Sequence, residues 1–307
     1  PVNVVGVLAF AFFRLRHALG PTSPPPEPEA AAEDAARRSL MWLPVVGMGA
    51  LGLLLGSMQS SLVSYTMNFD AVQYVGLLYA VLGGEAYVLG APVEGFEAAF
   101  ARFCGAGHCV GVASGTDAIA LALRALGIGP GDEVIVPALT FAGTAQAVLH
   151  CGAQPRLVDV DPRSRCIDPA AAEAAITPRT AAIVPVHLFG HPADMPALTA
   201  LAGRHGLAVV EDCAQSHGAS LGGRPLGSFG NAAATSFYPT KNLGGVGDGG
   251  AVTTDDPALA ARLRALRYYG FAGPERLSLG IGFNSRLDAL QAAILGALLP
   301  HLADGNA

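Results

Sequence analysis

Hydrophobic positions divide the chain into two unlike parts. Residues 39–69 contain no charged side chain, and within them residues 43–66 are predominantly apolar. That stretch is long enough to cross a bilayer, which needs about 20 apolar residues. Apolar runs at 2–13 and 71–82 are shorter than this. The pattern predicts an N-terminal helical, membrane-like segment over residues 1–82, with membrane contact through its central stretch.

A polar, proline-rich loop at residues 14–40 follows the first apolar run and contains the sequence PTSPPPEPE. Its composition is typical of a linker. Arginines stand at both ends of this loop, which predicts that the loop lies on the cytoplasmic side of a membrane. The hydropathy profile of this part resembles a major facilitator transporter around its central cytoplasmic loop. The alternative is a buried helical hairpin of a soluble protein.

From residue 83 onward, short β-branched runs alternate with helical stretches rich in alanine and leucine. The predicted strands are 110–113, 133–136, 155–160, 181–186, 208–211 and 233–238, and the predicted helices are 116–126, 142–151, 170–176 and 195–205. Asp168 before Pro169, and Asp256 before Pro257, are typical helix N-termini. This alternation predicts an α/β domain over residues 83–307, with a mostly parallel sheet covered on both faces.

Composition excludes several classes of protein. The chain of 307 residues is 51% hydrophobic and 14% charged, which excludes a disordered chain or a coiled coil. A net charge of −6 disfavours a nucleic-acid partner. The five cysteines lack the paired spacing of a zinc site, so we predict no metal and thiols in a reducing compartment.

Lys241 is the single lysine of the sequence, because every other Lys/Arg position is an arginine. It lies in the run FYPTKNLGGVGDGG, whose glycines allow close approach of the backbone to a ligand. Arginine cannot replace it in imine chemistry, since the guanidinium does not lose a proton. A lysine desolvated in such a loop can attack a carbonyl. The alternative is an exposed surface lysine, which the lysine-poor composition disfavours.

Two further segments place polar groups where α/β proteins bind ligands. The SGT sequence at 114–116 follows a predicted strand and opens a predicted helix, where backbone N–H groups can hold a phosphate. A plain helix cap is the alternative. The run VVEDCAQ at 209–215 is an apolar strand ending in Glu211 and Asp212, at the edge of the sheet where ligands bind. A helix-capping acid is the alternative there.

A phosphate loop, a strand-end aspartate and a loop lysine together match the needs of pyridoxal 5′-phosphate (PLP). Residues 84–302 also resemble the DegT/DnrJ/EryC1/StrS family of PLP-dependent sugar aminotransferases. The segments that carry this resemblance are GEAYVLGAPVEGFEAAFARFCG, VGVASGTDAIALALRALGIGPGDEVIVPALTFAGT, PVHLFGHPADM, VVEDCAQSHGA, GSFGNAAATSFYPTKNLGGVGDGGAV and GFNSRLDALQAAIL. The resemblance implies the large domain of PLP-dependent transferase fold type I, working as a homodimer.

The same resemblance implies a role for each matching residue. Lys241 is expected to hold PLP as a Schiff base and then to move a proton, and Asp212 to pair with the pyridine nitrogen. The other implied contacts are Gly115, Thr116 and Ser236 at the phosphate, Phe141 stacked on the ring, Gln215 beside the ring and its 3′-oxygen, and Asn284 reaching the phosphate of the neighbouring subunit. The implied reaction moves an amino group from an amino acid, usually glutamate, to a nucleotide-linked keto-deoxysugar. His187 and His217 are expected to be buried structural residues.

The sequence departs from the family pattern at both ends. The resemblance implies that a C-terminal small domain and an N-terminal arm are missing, so we expect a fusion or assembly product of a transporter fragment and a truncated aminotransferase. Three interpretations compete: a PLP aminotransferase with a cytoplasmic enzyme domain, a membrane transporter supported by residues 1–82 alone, and an inactive protein with the PLP fold. The motifs and the single lysine favour the first.

Overall fold

The computed structural model describes residues 89–272, 277–278 and 280–306. The predicted span at 43–66, the linker at 14–40 and the remainder of residues 1–82 lie outside the described residues. Within the described part of the chain, no helix combines the length and the apolar character needed to cross a membrane.

The described residues alternate between helices and strands, as the sequence predicts. The helices are α1 (Ala91–Cys104), α2 (Gly115–Ala125), α3 (Ala142–His150), α4 (Pro169–Ala174), α5 (Met195–His205), α6 (Pro257–Leu266), α7 (Ala289–Leu298) and α8 (Leu302–Gly305). The strands are β1 (His108–Val112), β2 (Glu133–Pro137), β3 (Gln154–Val158), β4 (Thr180–Ile183), β5 (Ala208–Asp212), β6 (Ser220–Leu221), β7 (Arg224–Pro225), β8 (Ala232–Ser236), β9 (Gly250–Thr254), β10 (Phe271–Ala272) and β11 (Leu277–Ser278).

The longer strands form one seven-stranded sheet in the order β1-β9-β8-β5-β4-β2-β3. Strands β8, β5, β4, β2 and β3 run parallel, whereas β9 is antiparallel to both of its neighbours. The predicted mostly parallel sheet is therefore confirmed, with one reversed strand. The hydrophobic pattern does not predict β9, because its first residue, Gly250, also closes the glycine-rich run after Lys241.

Element boundaries agree with the predicted ones, and the main difference has a chemical reason. Strand β4 ends at Ile183, short of the predicted end at residue 186. Pro185 has no N–H to donate to the ladder, so regular pairing stops before it. Asp168 and Asp256 cap α4 and α6 as predicted, each accepting a hydrogen bond from a backbone N–H two residues ahead.

Both faces of the sheet are buried. In β2, Val134 and Val136 join the hydrophobic cluster formed with α2, α3 and α6, while Ile135 joins the cluster formed with α4 and α5. In β5, Val210 belongs to the first of these clusters and Val209 to the second. A strand buried on both faces is a continuous apolar run in the sequence. The strands can therefore be told apart from the helices between them by sequence alone.

A buried ion pair ties α1 to β1 and to the end of α6. Arg267 Nη1 donates to Glu97 Oε1 and, over 2.8 Å, to the carbonyl oxygen of Gly111. Glu97 Oε1 also accepts a hydrogen bond from the Gly111 N–H at 2.7 Å. The two side chains are 8% and 7% exposed, so water compensates neither charge. Each partner therefore depends on the other for its stability in the core.

Replacing Arg267 by methionine is expected to lower the free energy of unfolding by about 3–5 kcal/mol, because Glu97 then stays buried without a counter-charge. Urea unfolding measures this change. The matched control is Arg264→Met, which alters an exposed arginine of α6 and should change stability by less than about 1 kcal/mol. Equal stability of the two variants would show that the ion pair does not support the core.

Candidate active site

A cavity of about 530 Å³ opens at the carboxyl ends of strands β5 and β8 and beside the start of α2. Ligands of α/β proteins bind at this end of a parallel sheet. Seven of the eight predicted site residues line the cavity, namely Gly115, Thr116, Phe141, Asp212, Gln215, Ser236 and Lys241. The structure thus brings together residues that lie up to 126 positions apart in the chain.

The first turn of α2 forms one wall of the cavity. Ser114 caps the helix, accepting a hydrogen bond from the Asp117 N–H at 3.1 Å. The N–H groups of Gly115 and Thr116 precede the first intrahelical hydrogen bond, so helix geometry leaves them free for an anion. A Cβ at residue 115 would lie 2.6 Å from the Cβ of Ser236, which explains why glycine stands there. The wall therefore combines backbone donors with the Thr116 and Ser236 hydroxyls.

Asp212 ends β5 and is buried, with 6% of its surface exposed. Its Oδ1 accepts the Ala214 N–H at 3.1 Å, and its Oδ2 accepts the Thr144 hydroxyl at 2.9 Å. Burial raises the pKa of this carboxyl, while those two hydrogen bonds and the nearby side chains of His187 and Lys241 oppose the rise. Among the described residues none forms an ion pair with Asp212. A cationic group in the cavity would supply the partner that a buried carboxylate needs.

Lys241 lies five residues beyond β8, in the glycine-rich loop, and is half-buried. Its backbone N–H donates to the Tyr238 carbonyl oxygen at 2.8 Å. Further along this loop, the Val246 N–H donates to Oε1 of Gln291 on α7 at 3.0 Å. In the described part of the chain the Lys241 ammonium has no hydrogen-bond or ion-pair partner. The loop is therefore held through its backbone N–H groups and through Asn242, whose Nδ2 donates to Asn306 Oδ1 at 2.9 Å, and the Lys241 amine is available to a ligand.

Phe141 and Gln215 flank the cavity with different chemistry. The Phe141 ring is 75% exposed and offers an aromatic face at the entrance. Gln215 Oε1 accepts the N–H of Phe189 at 2.8 Å, so its Nε2 remains as a donor. Phe189 has a φ of 55°, an uncommon value for a residue with a side chain. This turn fixes which end of the Gln215 amide is available to a ligand.

Asn284 is the predicted site residue that does not line the cavity. It is exposed, and it pairs with Tyr268 through an isolated antiparallel bridge. The next residue, Ser285, is anchored to α2, since its hydroxyl donates to Asp117 Oδ2 at 2.7 Å. The structure therefore presents Asn284 on an outer surface, at the end of a rigid connection to the cavity wall.

His187 and His217 are buried, as predicted. His187 Nδ1 accepts the Ala193 N–H at 3.2 Å, so Nε2 carries the proton and donates to Glu211 Oε2 at 3.1 Å. Glu211 also accepts three backbone N–H groups, from Gly227, Phe229 and Gly230. Cys213 Sγ lies within 4.8 Å of these side-chain atoms. Because both Glu211 oxygens already accept hydrogen bonds, we interpret the cluster as structural.

The burial of His217 predicts that acid destabilises the folded protein. Its Nε2 lies 3.0 Å from the Ser236 carbonyl oxygen, and burial lowers its pKa from 6.5 to about 4. The unfolded chain therefore binds the proton more tightly than the folded protein, and stability falls as the pH drops from about 6.5 to about 4. His217→Gln is expected to remove up to about 3 kcal/mol of this pH-dependent loss. Urea unfolding across this range measures it, with the exposed His205→Gln as control. If the free energy of unfolding fell equally with pH in both variants, His217 would not be the source of the acid sensitivity.

Several residues of the cavity were not predicted from the sequence. They are Ile119, Thr140, Gly143, Thr144, Val186, Leu188, Ala214, Tyr238, Thr240, Asp248 and Gly249. Thr144 matters most among them, because its hydroxyl bonds directly to Asp212. The TFAGT segment contains it, but a threonine inside a helix carries no signal of a partner 68 residues away.

The fold is that of an aminotransferase-like α/β protein. The profile of the DegT/DnrJ/EryC1/StrS aminotransferase family matches residues 71–307, and the chain belongs to that family. The matched range contains the predicted one, 84–302, and starts 13 residues earlier.

Relatives and solved structures agree with this assignment. The chain is 56% identical over 227 residues to the dTDP-3-amino-3,4,6-trideoxy-alpha-D-glucose transaminase of Streptomyces venezuelae, covering 74% of this chain and 59% of the relative. The crystal structure of S. venezuelae DesV in complex with a ketimine intermediate is similar, with a TM-score of 0.75 and 51% identity over 80% of this chain and 65% of that one. The structure of NtdA from Bacillus subtilis with bound cofactor PMP has a TM-score of 0.73 and 38% identity, over 77% and 54% of the two chains. The chain spans about 60% of the length of the curated relatives that it matches.

Proposed function

We propose that residues 83–307, within the range 71–307 that matches the family, form the cofactor-binding part of a PLP-dependent aminotransferase. The enzyme transfers an amino group from an amino acid, with glutamate as the expected donor, to a nucleotide-linked keto-deoxysugar. One observation carries the proposal: the single lysine and a buried strand-end carboxylate face the same cavity. The names of the relatives support the sugar substrate.

The residues of the cavity fit PLP. The backbone donors of α2 and the hydroxyls of Thr116 and Ser236 suit a phosphate, where residue 115 has no room for a side chain. Asp212 is a buried carboxylate without an ion-pair partner in the described chain, and a protonated pyridine nitrogen would provide one. The exposed ring of Phe141 and the free Nε2 of Gln215 suit the aromatic ring and its phenolic oxygen.

The bound cofactor supplies an electron sink that stabilises negative charge on the carbon next to an amine. The residues of the chain then divide the remaining work. Lys241 provides the amine that anchors the cofactor and carries a proton to and from the reacting carbon. Asp212 would hold the proton on the ring nitrogen, which would keep the sink effective. Gln215 would donate to the ring oxygen, and Phe141 would cover one face of the ring.

We further propose that the protein works as a homodimer. Asn284 is exposed and lies outside its own cavity, yet Ser285 and Asp117 connect its loop rigidly to α2. In a dimer, Asn284 of each subunit would reach the phosphate held by the other. Light scattering of the purified chain tests the oligomeric state, and a monomer that binds PLP with full affinity would contradict this role of Asn284.

The function is tested by following both halves of the reaction with the full chain. Loaded with PLP and given L-glutamate alone, the protein should release up to one 2-oxoglutarate per subunit. Addition of a dTDP-linked keto-deoxysugar should then yield the amino sugar, detected by mass spectrometry, and repeated turnover. Release of 2-oxoglutarate without amination of any nucleotide sugar would remove the substrate proposal. Absence of both reactions in a protein that binds PLP would identify an inactive member of the fold.

A further inference from the structure

Two hydroxyl groups lead to the Asp212 carboxylate. Thr144 Oγ1 lies 2.9 Å from Asp212 Oδ2, and Thr140 Oγ1 lies 2.9 Å from Thr144 Oγ1. A charged carboxylate can only accept hydrogen bonds, so Thr144 donates its one proton to Asp212. Thr140 must then donate to Thr144. The charge on Asp212 alone sets the direction of both hydrogen bonds, and such chains strengthen each member.

The position of Thr144 is fixed by the packing of α3. Thr144 is 2% exposed and lies in the first turn of that helix, where the helix dipole favours a neighbouring negative charge. A Cβ at Gly143 would lie 2.8 Å from Thr116 Oγ1, so α3 approaches the phosphate wall closely. The absence of a side chain at residue 143 lets the first turn of α3 lie next to Thr116, where the Thr144 hydroxyl reaches Asp212.

We propose that Thr144 is a positioning residue that holds the Asp212 carboxylate in its charged form and aims it into the cavity, with Thr140 as its support. Thr144 and the Ala214 N–H each hold one of the two carboxylate oxygens, which fixes the plane of the group. The inference rests on the proposed function for the use that the enzyme makes of this carboxylate. The ionisation of Asp212 itself can be measured without any cofactor.

The other ionisable groups around Asp212 stay in place when Thr144 is changed. His187, from the loop after β4, and Lys241, from the loop after β8, both favour the charged carboxylate. Its chain neighbours are Glu211, whose oxygens accept other hydrogen bonds, and Cys213, whose pKa is raised by burial. A change in the ionisation of Asp212 in a Thr144 variant therefore reports the lost hydroxyl.

The direct test is an NMR titration of the full chain, without cofactor, labelled with 13C at the aspartate carboxyl. Asp212→Asn identifies the resonance. Thr144→Val, which removes the hydroxyl and keeps the branched shape, is expected to raise the midpoint of Asp212 by about one to two pH units. Thr144→Ser should restore the original midpoint, and Thr140→Val should raise it by a smaller amount. An unchanged midpoint in Thr144→Val would overturn the proposal.

PLP affinity gives a second readout. Thr144→Val should bind PLP about tenfold or more weakly at pH 7.5, and Thr144→Ser should recover the affinity. The control is Thr199→Val on α5, whose hydroxyl donates to the Met195 carbonyl oxygen, and it should bind PLP as the parent does. If Thr144→Val does not fold, the titration midpoint of Asp212 in Thr140→Val decides between the outcomes. A higher midpoint supports the proposed role of Thr144, and an unchanged midpoint overturns it.

The two proposals fail in different ways. If none of the proteins binds PLP, the proposed function is wrong, and the titration still decides whether Thr144 holds Asp212. If all of them bind PLP equally and the midpoint does not move, the proposed function stands and Thr144 has no positioning role.

Discussion

Replacement of Lys241 by alanine is expected to reduce the rate of amino transfer by about 10⁴-fold or more, since the variant loses both the anchoring amine and the group that moves the proton. Lys241→Arg should lose as much, although it keeps the charge, because a guanidinium neither forms an imine nor gives up its proton. The rate of 2-oxoglutarate release from L-glutamate, with PLP in excess, measures both variants.

The lysine prediction has a clear control. Arg264→Ala removes an exposed cation of α6, outside the cavity, and should retain the parent rate. Addition of a small primary amine should recover part of the rate of Lys241→Ala by carrying the proton in its place. A Lys241→Arg variant that kept a tenth of the parent rate would show that the positive charge of the lysine, and not its imine chemistry, is what the site uses.

Replacement of Asp212 by asparagine is expected to lower the rate by about 10²–10³-fold, the usual effect of removing one preorganised electrostatic partner of the reacting group. The loss should persist at saturating PLP and fall on kcat, because it arises in the loaded enzyme and not from weaker binding of the cofactor. Steady-state kinetics with L-glutamate and a dTDP-linked keto-deoxysugar measure it. The control is Asp159→Asn, which changes an exposed aspartate that directly follows β3, at the edge of the same sheet.

Stability separates this effect from a folding defect. Burial raises the pKa of Asp212 above its value in the unfolded chain, so the ionised carboxyl destabilises the folded protein at every pH above the folded pKa. A neutral amide removes that penalty. Asp212→Asn without cofactor should therefore be at least as stable as the parent at pH 7.5, by urea unfolding. A large loss of stability together with a large loss of rate would mean that Asp212 mainly supports the fold.

The sequence predicts most of the sheet because its strands are short, apolar and separated by helices with clear start signals. Asp168 and Asp256 illustrate this, since both cap helices where the Asp-Pro pairs place them. Strand β9 is not predicted, because it begins at the last glycine of the glycine-rich loop and glycine is uncommon in strands. The order of the strands requires contacts that no local pattern records.

The candidate site divides in the same way. Three site residues can be predicted from the sequence because each has a local signal. Lys241 is the single lysine, Asp212 is an acid at the end of an apolar strand, and Gly115 is a glycine at the start of a helix. Thr144 and the pair of Glu97 with Arg267 have no such signal. Their roles depend on partners that lie 68 and 170 residues away, which only the folded chain brings within hydrogen-bond distance.

The most direct test of the central claim is the visible absorption spectrum of the purified full chain with added PLP, recorded beside Lys241→Ala. We expect the parent to develop the visible band of lysine-bound PLP, which disappears when L-glutamate is added. In a separate sample without L-glutamate, borohydride reduction should fix the label on the peptide that contains Lys241. A parent protein with the same spectrum as Lys241→Ala would contradict the claim that this cavity is a PLP site.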